Sequence, residues 1–197
     1  HGESNIPEAH GKIKRLFTDP LVCKPLPDVI EAIRDAELII LGPGSLYTSV
    51  TPNLLIKEIA HEIAISKAKK IYVCNIMTQP GETDGYSVTD HVNALIKHAG
   101  SKKIIDAVLV NDFMPSNLAK KYQLSGSYPV KLDLDNLRKM GVRLVSRKLI
   151  EDSKEGLVRH SSNRVARAIY YWFRKEQKGQ RVKNSIDQTQ EKQGCAV

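Results

Sequence analysis

Ile71-Tyr72-Val73-Cys74-Asn75-Ile76-Met77-Thr78-Gln79-Pro80-Gly81-Glu82-Thr83-Asp84-Gly85-Tyr86 is the stretch whose reading decides the fold. Its apolar opening, Ile71 to Cys74, reads as a buried strand. A polar turn rich in Gly and Pro follows, and a helical pattern runs from about Ser87 to Ala99. Strand, turn and helix in this order form the place where open α/β sheets hold their ligands. The turn carries more hydrogen-bonding groups than a connector needs. Asn75, Thr78, Gln79, Glu82, Thr83 and Asp84 are all able to face one small molecule, with Gly81 at the bend.

A second loop of the same kind lies upstream. Leu38-Ile39-Ile40-Leu41 reads as a strand, Gly42-Pro43-Gly44-Ser45-Leu46-Tyr47-Thr48-Ser49 follows, and a helix is expected from Thr51-Pro52-Asn53. The two glycines let backbone approach a ligand closely, and hydroxyl and N–H groups are available to a phosphate. Thr51 suits the N-cap and Pro52 the first helical position. That helix would aim the positive end of its dipole at the loop. Two such loops on successive strands predict one anion-binding cleft at the carboxyl edge of a parallel sheet.

Each feature also has a plain structural reading. The 42–49 loop is either a phosphate cradle or an ordinary connector, and no Lys follows its glycines as in a Walker A loop. Glu82 and Asp84 are either Mg²⁺ ligands, acceptors for a sugar or base, or, with Thr83, caps of the next helix. No Cys/His spacing resembles a metal site, and no residue is assigned to a metal or to catalysis. His91 lies one turn into its helix, facing either a diphosphate or the core. Arg159 either reaches a phosphate in the cleft or pairs with Glu151, Asp152 or Glu155. Asn75 and Thr78, at the strand end, are expected to matter for binding more than His91.

The motifs resemble a known family. GPGSLYTS at 42–49 with TPNLL at 51–55, and NIMTQPGETDGY at 75–86 with Asp90-His91, are similar to the gluconeogenesis factor (YvcK-like) branch of the CofD-like superfamily. Gly2-Glu3-Ser4-Asn5-Ile6-Pro7, Ile13-Lys14-Arg15, Leu109-Val110-Asn111 and Val158-Arg159-His160 fit the same pattern, in register over roughly residues 2–170. The resemblance implies a cytoplasmic bacterial protein that binds nucleotide-sugars of the UDP-sugar type. It also implies a link to cell shape and wall synthesis during growth on gluconeogenic carbon. The two loops would hold diphosphate and sugar. Family members begin with a Gly-rich strand-turn-helix that would hold the nucleoside; this chain starts after it, with His1 rather than Met, as a fragment would. The alternative within the superfamily is a 2-phospho-L-lactate transferase, which moves a phospholactyl-type group from a nucleoside diphosphate donor with Mg²⁺. A homodimer is left open.

Outward from these loops, apolar strands alternate with amphipathic helices. Helices are expected at 28–36, 52–67, 87–99, 115–122, 133–139 and 161–176, and strands at 38–41, 70–74, 105–110, 130–132 and 142–145. Lys12 to Phe17 alternates as a strand would. The pattern argues for an α/β, Rossmann-like, mostly parallel sheet with helices on both faces, in one domain over 1–176. Beyond it, 177–197 loses apolar periodicity and reads as a flexible polar tail. Cys23, Cys74 and Cys195 are odd in number and far apart, as in a reducing compartment. The net charge of +8 is spread along the chain without interleaved aromatics, so it gives no convincing sign of nucleic acid or membrane.

Overall fold

The computed structural model describes residues 5–6, 11, 13–151 and 156–194. Four strands, β1 (Leu38–Leu41), β2 (Lys69–Val73), β3 (Ala107–Asn111) and β4 (Arg143–Arg147), lie side by side in chain order. All three pairings are parallel, with Ile40 opposite Ile71, Tyr72 opposite Val108 and Leu109 opposite Val145. Around them run α1 (Pro27–Asp35), α2 (Thr51–Leu54), α3 (Lys57–Ile65), α4 (Val88–Ala99), α5 (Ser116–Gln123), α6 (Leu134–Met140) and α7 (Ser162–Gly194).

The near-continuous apolar strands are explained by burial on both faces. Successive side chains alternate between faces. Tyr72, Val108 and Val110 pack with Ile59 and Ile63 of α3, Val92 and Leu95 of α4, and Leu137 of α6. Ile71, Val73, Ala107, Leu109 and Val145 pack with Val165, Ala168, Ile169 and Trp172 of α7. Burying each of the larger side chains contributes about 1.5–3 kcal/mol. The expected Rossmann-like sheet, covered on both sides, is what the chain builds.

Several boundaries differ from expectation. Helical backbone begins at Leu46, in a five-residue π-type turn, and continues into α2, so Thr51 lies inside the helix and its N–H donates to the Leu46 carbonyl. The expected helix over 52–67 is two helices, broken where Ile56 takes an extended ψ of 105°. Ser87, not Thr83 or Asp84, caps α4: its hydroxyl accepts from the Asp90 N–H while the Asp90 carboxylate accepts from the Ser87 N–H. Residues 130–132 form no ladder. Val130 bonds the Ile76 carbonyl and Ser87 bridges Lys131, so the segment lies over the loop after β2 instead of joining the sheet. Residues 13–17 are not in a strand, and Gly2-Glu3-Ser4, Pro7 and Lys12 lie outside the described residues. The last helix does not stop near Glu176 but runs to Gly194. Gln, Lys, Arg and Glu, abundant beyond Glu176, are good helix formers, so lost apolar periodicity there removes the packing face without removing the helix.

α1 is tied to α3 by a forked ion pair, with Arg34 Nε 2.9 Å from Glu62 Oε2 and Arg34 Nη2 2.7 Å from Oε1. The guanidinium's hydrogen bonds hold the Glu62 carboxyl below its ordinary range. A carboxyl with a lowered folded pKa adds stability that is present above its unfolded pKa and lost as pH falls through the folded value. Glu62→Gln should therefore melt earlier than the unaltered chain at pH 7. The gap should narrow as pH falls below about 4, the unperturbed range for a glutamate. Thermal melts from pH 7 to pH 3 check this; a gap as wide at pH 3 as at pH 7 would refute it.

Candidate functional site

The loops leaving the carboxyl ends of β1 and β2 meet in a cleft of about 580 Å³. Gly44 and Ser45 come from the first loop, Asn75 to Pro80 from the second, and Val158, Arg159 and His160 from the segment before α7. Tyr122, Ser125 and Ser127 close the far wall. A larger groove of about 770 Å³ lies along α3 and the end of α4, but no residue of the strand-end loops lines it. The cleft is where an open parallel sheet exposes its loop N–H groups, so it is the candidate ligand site.

Asn75 joins the two loops. Its Nδ2 donates to the Gly44 carbonyl at 3.2 Å and lies 3.4 Å from Gln79 Oε1. Tyr72, wholly buried, donates from its hydroxyl to Asn75 Oδ1 at 3.3 Å. Gln79 Nε2 donates to Ser45 Oγ at 2.8 Å, which orients the Ser45 hydroxyl and leaves its proton available to a ligand. The amides thus hold both loops at one separation before any ligand arrives.

The first loop is shaped by its glycines for two different reasons. Gly42 has φ +82°, and a Cβ there would sit 3.1 Å from the Val73 carbonyl oxygen. Gly44 does not need a left-handed φ; a Cβ on it would meet Ser49 Cβ at 2.9 Å. The tight turn that follows brings both the Ser49 and the Val50 N–H to the Ser45 carbonyl at 3.0 Å. Ser49 N–H is thus internally bonded, and the helical start at Leu46 moves the positive dipole end next to Gly44 and Ser45.

Of the candidate residues, the structure brings Gly44, Ser45, Asn75, Thr78, Gln79 and Arg159 to the cleft. It places the others elsewhere. Leu46 and Tyr47 are buried, and the Tyr47 hydroxyl pairs with Tyr86 at 2.7 Å. Gly42, Thr48, Ser49, Gly81, Glu82 and Thr83 do not line the cleft. Thr78 reaches the wall, but its side chain is engaged: Oγ1 accepts from the Tyr128 N–H at 2.9 Å. Thr83 Oγ1 accepts from the Gln79 N–H, and Asp84 Oδ2 from the Gly81 N–H, so both shape the turn. His91 has no exposed surface; its Nδ1 contacts the Ser87 carbonyl at 2.8 Å, and burial lowers its pKa, so it is a neutral core residue.

The cleft offers a magnesium ion little. Among the described residues its lining has no carboxylate, and Glu82 and Asp84 are engaged elsewhere or buried. The residues present do not fit direct coordination. Cys74 is a core residue, as expected, with burial pushing its thiol up to about 12.

Arg159 is exposed at the cleft, and among the described residues it forms no ion pair; Glu151 meets it only through backbone, N–H to carbonyl at 2.9 Å. Asp152 and Glu155, its other expected partners, lie outside the described residues. Sequence reasoning did not select His160, Tyr122, Ser125 or Ser127. Their positions depend on a chain that returns from β4 through an isolated bridge between Ile150 and His160, which no local pattern announces. The one available signal was the Val158-Arg159-His160 triplet itself.

A family model described as 2-phospho-L-lactate transferase CofD matches residues 1–150. The chain belongs to the CofD family. Among relatives of this chain, a gluconeogenesis factor of Bacillus subtilis (strain 168) is 46% identical over 166 residues, 84% of this chain and 52% of that protein. A gluconeogenesis factor of Halalkalibacterium halodurans is 45% identical over 169 residues, 85% of this chain and 52% of that protein. A crystal structure of a upf0052 family member from Bacillus halodurans superposes with a TM-score of 0.80 at 44% identity, over 86% of this chain and 54% of that one. The chain spans about half the length of these relatives. No helix among the described residues is long and apolar enough to cross a membrane.

Two stability effects follow from the loop geometry. Gly42→Ala, forced to hold a left-handed φ against a carbonyl, should destabilise the fold by about 1–2 kcal/mol. Thr78→Val, which strips the acceptor from the part-buried Tyr128 N–H, should cost about 1 kcal/mol. Urea unfolding measures both; a change under about 0.5 kcal/mol in either, the range of ordinary surface substitutions, would contradict the corresponding assignment.

Proposed function

We propose that the cleft binds the diphosphate and sugar of a nucleotide-sugar of the UDP-sugar type, and that the chain is the binding part of a gluconeogenesis factor. In this reading the protein works in the bacterial cytoplasm and couples nucleotide-sugar supply to cell shape and wall synthesis during gluconeogenic growth. The observation that carries it is the convergence of three donor groups on one cleft: the glycine loop at 44–45, the amide-linked loop at 75–79, and the exposed guanidinium of Arg159. A guanidinium presents N–H donors in a fork suited to phosphate oxygens. A loop at a helix start presents backbone N–H groups to the same anion. Relatives that match most of the chain are named gluconeogenesis factors.

The transferase reading would need charge neutralisation at the phosphates and an activated acceptor hydroxyl. The family's description favours it; the described residues lining the cleft, none of them a carboxylate, do not. Binding without turnover is therefore the function proposed.

Calorimetric titration with UDP-glucose tests the reading. Arg159→Ala should weaken binding about 10–100-fold, the worth of about 1.5–3 kcal/mol for a charged hydrogen bond. Asn75→Ala should weaken it as well, by releasing the first loop, while His91→Phe should leave affinity unchanged in protein that remains folded. A loss confined to His91→Phe would reverse the assignment. Conversion of the nucleotide-sugar during incubation with an acceptor would favour the transferase.

A further inference from the structure

His160 is held differently from the other polar residues of the cleft. Its backbone is fixed by the bridge to Ile150, by the Glu151 N–H on the carbonyl of Arg159, and by the Ser161 N–H on the carbonyl of Leu149 at 2.7 Å. Its ring is fixed by a hydrogen bond to the backbone of Cys74, the last residue before Asn75. The second ring nitrogen, Nε2, is buried and has no hydrogen-bond partner. The ring lines the same cleft as Ser45, Asn75 and Arg159.

Elementary chemistry sets what that nitrogen can do. With Nε2 unpartnered, the contact with the Cys74 backbone falls to Nδ1, and because a carbonyl accepts only from an N–H, the proton is assigned to Nδ1. Burial disfavours the imidazolium, so the ring is neutral and Nε2 is left with a lone pair. A lone pair repels phosphate oxygens and attracts a hydroxyl or amide proton. Arg159, beside it, has donors only. The two neighbours therefore divide the cleft into a side for anions and a side for proton donors. A buried polar atom without a partner in a native fold calls for one.

We propose that His160 is a specificity-determining residue of the cleft, its Nε2 accepting a hydrogen bond from a hydroxyl or amide N–H on the sugar of a bound nucleotide-sugar. The assignment rests on the nucleotide-sugar reading and narrows it. Arg159 carries affinity for the diphosphate whatever is attached, and His160 distinguishes a nucleotide that bears a sugar from one that does not. A site built around a ligand's donor rejects the analogue that lacks it, because its own buried acceptor is then left unpaired.

The test compares UDP-glucose with UDP on the unaltered chain and on His160→Asn. Asparagine places its amide N–H near Nδ1, which preserves the bond to Cys74, and has nothing in place of Nε2. The expected result is a loss of about tenfold or more in affinity for UDP-glucose with UDP binding unchanged, a split that mere structural damage would not produce. An equal loss for both probes, or none for either, overturns the proposal. As a check independent of whether the variant folds, the ¹⁵N resonance of His160 Nε2 in the unaltered protein should shift on adding UDP-glucose and not on adding UDP; no shift, or the same shift with both, overturns it. If the unaltered chain binds UDP but shows no preference for UDP-glucose, the His160 assignment alone fails. If it binds neither, the nucleotide-sugar reading fails and takes the assignment with it.

Discussion

The side-chain amide of Asn75 is the constraint on which the cleft depends. One carboxamide accepts from Tyr72 below it and donates to the Gly44 carbonyl across the gap. Gln79 repeats the device one turn later, reaching Ser45. Each bond contributes only about 1 kcal/mol net to stability. Their effect is geometric: two loops that would otherwise move independently are held at one distance. Tyr72 is fully buried and cannot shift, so the anchor of this network is the sheet itself.

The sheet can serve as an anchor because it is buried on both sides by unequal means. Several short helices cover one face, while a single long helix, α7, covers the other. α7 is clamped at its sheet end by Trp172 packing, by Arg143 lying 6.0 Å over the Trp172 ring, and by an ion pair between Arg143 and Glu176. The residues just before α7 are Arg159 and His160. Docking of α7 against β2, β3 and β4 therefore sets where the third wall of the cleft stands, although no described α7 side chain lines it.

The segment at 127–131 plays the matching part on the opposite wall. It bonds Thr78 and Ile76: Ser127 Oγ donates to the Thr78 carbonyl, the Tyr128 N–H to Thr78 Oγ1 and the Val130 N–H to the Ile76 carbonyl. These bonds satisfy backbone groups that would be left buried in a loop of this depth. They also commit the Thr78 N–H and a lone pair of its hydroxyl oxygen to the fold. A hydroxyl that accepts from the fold keeps its proton, so Thr78, like Ser45, is half used by the loop.

The sequence by itself determined the fold class and the address of the site. Apolar runs at β1, β2 and β3, each followed by a helical period, leave a parallel sheet as the consistent solution, and Gly-Pro-Gly and Thr-Gln-Pro-Gly mark its loop end. These are local signals, written in spacing and backbone propensity. What only the tertiary structure decided is which polar side chains remain available. Tyr47, Glu82, Thr83 and His91 read as candidates because a sequence records hydrogen-bonding capacity, not depth. His160 went unselected for the converse reason: its importance lies in a nitrogen that packing buries and leaves without a partner. The carboxyl-terminal helix was misjudged because helix formation and helix packing leave different traces in sequence, and only packing shows as periodicity. Burial and pairing arise from contacts between distant segments, and a single chain read in order contains no measure of them.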